Sequence, residues 1–125
     1  MTKRIRRLPD AELVVMQAVW RCQPPVLRAD LERELSPEYL MASTTLLTQL
    51  SRLTKKGFLI TEKSGKGNCY TPTITKEQYL SSQSRQFVEQ LCGGSVSVLA
   101  SALCDSGLSE EELAQLRHLL EKGAL

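Results

Sequence analysis

Residues 36–59 read SPEYLMASTTLLTQLSRLTKKGFL, and the way this stretch folds decides how the rest of the chain is read. Leu46, Leu50 and Leu53 recur at i, i+4 and i+7, the spacing of one buried helical stripe. At 100° per residue the opposite side collects Thr44, Thr45, Thr48, Ser51, Arg52 and Lys55. Ser43 stands where an N-cap hydroxyl would accept a bond from an orphan backbone N–H, and Gly57 provides the C-terminal exit. The segment therefore predicts a helix whose outer face is small, hydroxylated and basic.

The flanking sequence places that helix third in a series. PDAELVVMQAVWR, residues 9–21, sets Leu13, Met16, Val19 and Trp20 at helical spacing behind a proline suited to a helix start. Trp20 belongs to that apolar stripe and reads as core rather than as a platform for a stacked base. Cys22 to Pro25 break the pattern. VLRADLEREL, residues 26–35, predicts a second helix with Leu27, Leu31 and Leu35 on one stripe, closed by Ser36-Pro37. After the third helix, FLITEKSGKGNCYTPTIT carries β-branched and aromatic residues on both sides of Ser64-Gly65-Lys66-Gly67, the pattern of a β-hairpin. Three helices followed by a hairpin with a basic, glycine-rich tip make a winged helix-turn-helix over residues 1–75.

Residues 76–125 change character. KEQYLSSQSRQFVEQLCG is helical, with Tyr79, Leu80, Phe87, Val88 and Leu91 as apolar members, and Gly93-Gly94 interrupts it. SVSVLASALCDSG predicts a shorter helix bearing Val98, Leu99 and Leu103. LSEEELAQLRHLLEKG opens with the capping-box arrangement Ser109-Glu110-Glu111-Glu112 and carries Leu113, Leu116, Leu119 and Leu120 on one face. Three short helices bury little surface by themselves, so a second copy of the chain is the expected partner, in a symmetric dimer. The fold class is thus mainly α with a small β-hairpin: a winged helix-turn-helix plus a C-terminal helical dimerisation element.

Charge divides the same way. Residues 1–70 hold twelve Lys and Arg against seven Asp and Glu, and the remainder holds four against seven. A basic front half suits a polyanion. Hydroxyl side chains on the third helix allow close approach to a DNA major groove, and threonine methyls can meet thymine. Arg52 can bond guanine or a phosphate. Lys55 and Lys56 at the helix end, with Lys63 and Lys66 on the hairpin, would neutralise phosphates on either side. Arg4, Arg6 and Arg7 read either as a minor-groove arm or as a solvated terminus.

Other chemistry has little support. Cys22, Cys69, Cys92 and Cys104 form no C-x-x-C pair, and their spacings of 47, 23 and 12 fit no zinc template. They read as reduced thiols, with a thiol or metal sensor built on Cys92, Cys104 and His118 as the sharper alternative. One histidine and no nucleophile–base set argue against an enzyme, and no cofactor or metal is expected. No run reaches the length of a membrane span and no signal-peptide pattern follows MTKRIRR, so the expected location is the cytoplasm. A winged helix used for protein interaction is the remaining competitor.

AELVVMQAVW (residues 11–20), TTLLTQLSRLTKKGFL (44–59) and LCGGSVSVLASAL (91–103) resemble the penicillinase repressor family, the BlaI/MecI/CopY type of transcriptional repressor. The resemblance spans nearly the whole chain. It implies a homodimer whose winged helices bind double-stranded DNA operators with inverted TACA/TGTA half-sites. The implied contact residues are Thr44, Thr45, Thr48, Ser51 and Arg52, with Leu47 where some members carry a polar or basic contact; Ser43, at the start of the helix, is counted with the DNA-binding residues. Some members are inactivated by a sensor protease at an Asn-Phe bond. Ala102-Leu103 occupies that place here, so induction through β-lactams is not expected, and the inactivating signal is left open. The tail RHLLEKGAL holds no C-x-C motif, so copper induction is not expected either.

Overall fold

The computed structural model describes residues 5–35, 42–65 and 67–122. The elements run α1 (Asp10–Arg21), β1 (Val26–Leu27), α2 (Arg28–Leu35), α3 (Ser43–Lys55), β2 (Leu59–Ser64), β3 (Gly67–Pro72), α4 (Lys76–Gln90), α5 (Val96–Asp105) and α6 (Glu110–Glu121). Packing divides the chain into two compact units, Met1–Gln83 and Ser84–Leu125, with the division falling inside α4.

In the first unit, α1, α2 and α3 close over one apolar core. Val15, Met16 and Val19 of α1 meet Leu31 and Leu35 of α2 and Leu46, Leu50 and Leu53 of α3. The α3 stripe is buried as its spacing predicts. The helix ends in a complete Schellman motif: Phe58 N–H donates to the Leu53 carbonyl at 3.0 Å and Gly57 N–H to that of Thr54 at 3.1 Å. Gly57 takes φ +84°, a conformation that costs glycine nothing. Phe58 and Leu53 are both buried, which supplies the apolar contact that accompanies this motif.

The hairpin pairs Leu59 with Pro72 and, at its tip, Ser64 with Gly67. Gly65 there has φ +56°. The sheet has three strands rather than two, in the order β1-β3-β2. Val26 and Leu27, expected to open the second helix, instead pair with Tyr70 and Cys69. The helix starts only at Arg28, where the Asp30 carboxylate accepts from Leu27 N–H at 3.0 Å. Leu27 therefore leaves the expected apolar stripe and is 44% exposed. Ser36-Pro37, expected to close α2, lies outside the described residues, as do Arg4 and Lys66.

One further expectation is corrected at a helix start. The N-cap of α3 is Ala42, which has no side chain to give, and Ser43 is already helical; its hydroxyl is turned toward Glu32, 3.4 Å away. By contrast, Thr75 and Gln78 cap α4 reciprocally, each backbone N–H meeting the other's side chain at 2.9 and 3.0 Å. The Ser109–Glu112 capping box of α6 is formed as its spacing predicts.

Tyr79, grouped with the dimerisation residues above, is buried in the first unit. Its ring lies 5.7 Å from that of Trp20 and 6.0 Å from that of Phe58, and its hydroxyl accepts from Leu8 N–H at 2.9 Å. Trp20 is half-buried and packs against that core, with its indole N–H donating to the Ile74 carbonyl at 2.8 Å. The first turns of α4 thus complete the winged-helix core. An amphipathic pattern marks that a face is covered, not which neighbour covers it.

In the second unit, Val88, Leu99, Leu103, Leu113 and Leu116 are half-buried, while no residue of α5 or α6 is fully buried. Gly93 and Gly94, at φ +61° and +80°, turn the chain from α4 into α5.

Tyr79→Phe keeps the ring and removes the acceptor for a buried N–H. It is expected to cost about 1 to 3 kcal/mol of stability, read as a lower midpoint of urea unfolding at an unchanged slope. An unchanged midpoint would show that the hydroxyl contributes nothing.

Candidate nucleic-acid interface

The apolar stripe of α3 seats the helix on α1 and leaves the other side to solvent. Thr44, Thr45, Thr48, Ser51, Arg52 and Lys55 are all exposed there, along with Leu47 on the flank at 39%. Thr48 donates its hydroxyl hydrogen to the Thr44 carbonyl at 2.9 Å. That leaves its oxygen as an outward acceptor and its methyl free for apolar contact. Among the described residues, no ion pair involves Arg52 or Lys55. The face therefore offers an uncompensated guanidinium and ammonium beside short hydroxyl side chains.

The wing is fastened to this helix. Thr54, whose hydroxyl reaches the Leu50 carbonyl at 2.9 Å, also meets the Thr61 hydroxyl at 2.7 Å. Lys63 is two residues beyond Thr61 on β2 and shares its side of the strand. It is exposed and, like Arg52, enters no ion pair among the described residues. Helix and strand so tied hold their cations in a fixed relation.

Lys56 departs from expectation. Its ammonium lies 2.6 Å from a carboxylate oxygen of Glu12 on α1, and Glu12 is only 3% exposed. The cation expected on a phosphate is thus held by a buried carboxylate. Glu12 itself escaped the sequence reading, though a signal was present. It stands at i relative to Val15, Met16 and Val19 at i+3, i+4 and i+7, a carboxylate inside an apolar stripe. The remaining basic residues of α1 and α2 are also compensated: Arg21 by Glu34, Arg28 by Glu32 and Arg33 by Asp30.

The thiols are dispersed. Cys69 and Cys92 are buried, Cys22 is half-buried and Cys104 is exposed. Burial, reinforced by Glu34 and Asp30, pushes the Cys22 thiol up, away from the reactive thiolate. Among the described residues, no three His, Cys, Asp or Glu side chains stand close enough to hold a metal ion. No helix among them is long and apolar enough to cross a membrane.

Comparison with known proteins gives this geometry a context. The penicillinase repressor of Bacillus licheniformis is 33% identical over 121 residues, covering 96% of this chain and 94% of that protein. The methicillin resistance regulatory protein MecI of Staphylococcus aureus strain N315 is 25% identical over 123 residues, covering 98% and 99%. The solution structure of Bacillus licheniformis BlaI, in its monomeric form in complex with the blaP half-operator, matches with a TM-score of 0.51 and 36% identity. That match takes in 62% of this chain and 94% of the BlaI chain. The model of the family described as penicillinase repressor spans residues 8–122, from the first core leucine to the end of α6. On that match the chain belongs to the penicillinase repressor family, a family of transcriptional repressors and not of enzymes.

Proposed function

We propose that this protein is a cytoplasmic, sequence-specific DNA-binding repressor that acts as a homodimer on inverted repeats of the TACA/TGTA type. The observation that carries the reading is the outer face of α3, where Arg52 and Lys55 stand without carboxylate partners among the described residues, beside Thr44, Thr45, Thr48 and Ser51. A face of that composition fits a major groove: the hydroxyls bond phosphates or base edges and Arg52 reaches guanine or a phosphate. Leu47 makes apolar contact only, and Lys63 meets the backbone from the wing. The BlaI structure that this chain resembles was solved with a half-operator, which supports the same use of the fold here.

Dimerisation is argued from surface that one chain leaves uncovered. Phe87, Leu91, Val98 and Leu120 are exposed, Leu91 at 73% and Leu120 at 58%. An open groove of about 440 Å³ runs along Leu113, Leu116 and Leu120, with Cys104 at its edge. Apolar exposure of this density marks an interaction surface. A second copy presents the same groove and the same leucines, and so can cover them self-complementarily about a two-fold axis. In this reading residues 1–75, completed by the packed first turns of α4, bind DNA, and the rest of residues 76–125 joins the two copies.

Fluorescence anisotropy with two duplexes, one carrying TACA/TGTA half-sites and one with them scrambled, tests the DNA reading. Wild type is expected to prefer the first, with log affinity falling against log salt by about 0.9 per neutralised phosphate. Arg52→Ala is expected to lose about 1 to 3 kcal/mol. Equal, weak, salt-erased binding to both duplexes would overturn the operator. Leu120→Glu tests the dimer: sedimentation should shift from two copies to one and operator affinity should fall. A variant that sediments as wild type would refute this face as the interface.

A further inference from the structure

Glu12 stands apart as a buried ionisable group that the DNA-contacting face does not use. It lies on the inner side of α1 among Val15, Met16 and Val19, and its carboxylate meets the Lys56 ammonium at 2.6 Å. Lys56 follows the last residue of α3 directly and keeps a helical backbone as its C-cap, at φ −78° and ψ −5°. At 100° per residue it sits about 40° round the helix from Arg52 and about 20° from Gln49, which is buried. Lys56 thus occupies the border of α3, between the exposed basic face and the core. A side chain there can turn either way, and the carboxylate of Glu12 decides which.

The two partners are not equivalent. The Glu12 side chain is 4% exposed and that of Lys56 is 22%. Removing the lysine's charge strands a carboxylate in the core. Neutralising the glutamate leaves an ammonium that a flexible stem can carry outward to solvent. The bond is short and charge-assisted, and it crosses from α1 to the end of α3, so it ties the two helices together there.

We infer that Glu12 is a specificity-determining positioning residue: it ties the end of α3 to α1 and withholds Lys56 from the DNA phosphates. A lysine released beside Arg52 and Lys55 would add a contact that every sequence offers equally. Affinity would rise on all duplexes and discrimination between them would fall. By holding Lys56 inward, Glu12 keeps a larger share of the binding on the groups that can read bases. The inference rests on the proposed DNA-binding function.

The test uses the full chain, as wild type, Glu12→Gln and the double variant Glu12→Gln/Lys56→Gln, on the half-site and scrambled duplexes across a salt series. Glu12→Gln is expected to steepen the salt dependence by about 0.9, one more phosphate. It should also tighten binding to the scrambled duplex severalfold at low salt and lower the ratio of specific to non-specific affinity. The double variant, whose two amides can still bond each other, should return to the wild-type slope. A loosened fold weakens binding at every salt concentration and does not steepen the slope, so the slope separates this role from a merely structural one. An unchanged slope in Glu12→Gln would overturn the inference, as would a double variant shallower than wild type by about 0.9, since that would place Lys56 on a phosphate from the start. Should Glu12→Gln fail to fold, the slope of the double variant alone makes the same decision. Wild type that binds neither duplex in a salt-dependent way would instead refute the DNA-binding reading, and this inference with it.

Discussion

The burial of Phe58 is the constraint on which the first unit depends. Its backbone N–H closes α3 against Leu53, its carbonyl accepts from Thr73 N–H, and its ring lies against Tyr79. One residue therefore ends the third helix, anchors the return of the wing and receives the start of α4. An aromatic ring brings a large apolar surface and an orientation preference to such a junction. Gly57 makes the placement possible, because only the left-handed turn before Phe58 brings its N–H back to Leu53. With that corner fixed, the depth of α3 on α1 follows from Leu46, Leu50 and Leu53, and the outward direction of Thr48 and Arg52 follows from the helix itself.

Electrostatics sharpens the same surface by subtraction. The first 70 residues hold twelve basic against seven acidic side chains, yet the excess is not spread evenly. Arg21, Arg28 and Arg33 are paired with carboxylates of α2, and Lys56 is taken by Glu12. The three exposed pairs add little stability, but all four cancel a charge that would otherwise contribute to the field. Among the described residues of this stretch, the basic side chains that enter no ion pair are Arg52, Lys55 and Lys63 on the α3 and wing side, with Arg6 and Arg7 ahead of α1. With the charges of α2 and the inner edge of α3 cancelled, the remaining field is uneven, and an uneven field orients an approaching polyanion where a uniform one would only attract it.

Much of this architecture was legible in the sequence, wherever the deciding contacts were local. The stripe of Leu46, Leu50 and Leu53, the exit at Gly57 and the Ser109–Glu112 box all rest on residues within two turns of one another. Three of the expectations that failed depended on distant partners. Val26 and Leu27 are too short a pair to show a period, and they become a strand only because Tyr70 and Cys69 arrive beside them. Tyr79 carries an apolar signal that either of two neighbours could satisfy, and Trp20 and Phe58 claim it. Lys56 reads as a surface charge until Glu12, 44 residues earlier, is brought within reach. Ser43 missed its role as cap by one residue, the scale on which helix boundaries are set by entry geometry rather than by the cap signal alone.

The two units are incomplete in complementary ways. The first has a closed core and an open polar face; the second has half-buried helices and an open apolar one. A single major-groove reader of this size gathers few base contacts, and each is worth only a modest discrimination. In the proposed dimer, joining two readers through the apolar faces of α4, α5 and α6 would make the second binding event intramolecular, and modest half-sites would combine into a selective operator without any new contact to DNA. The gain exists only while the linkage holds. On that proposal the second unit would need no deep core of its own, since its stability and the affinity for the operator would come from the same leucines, covered by the second copy.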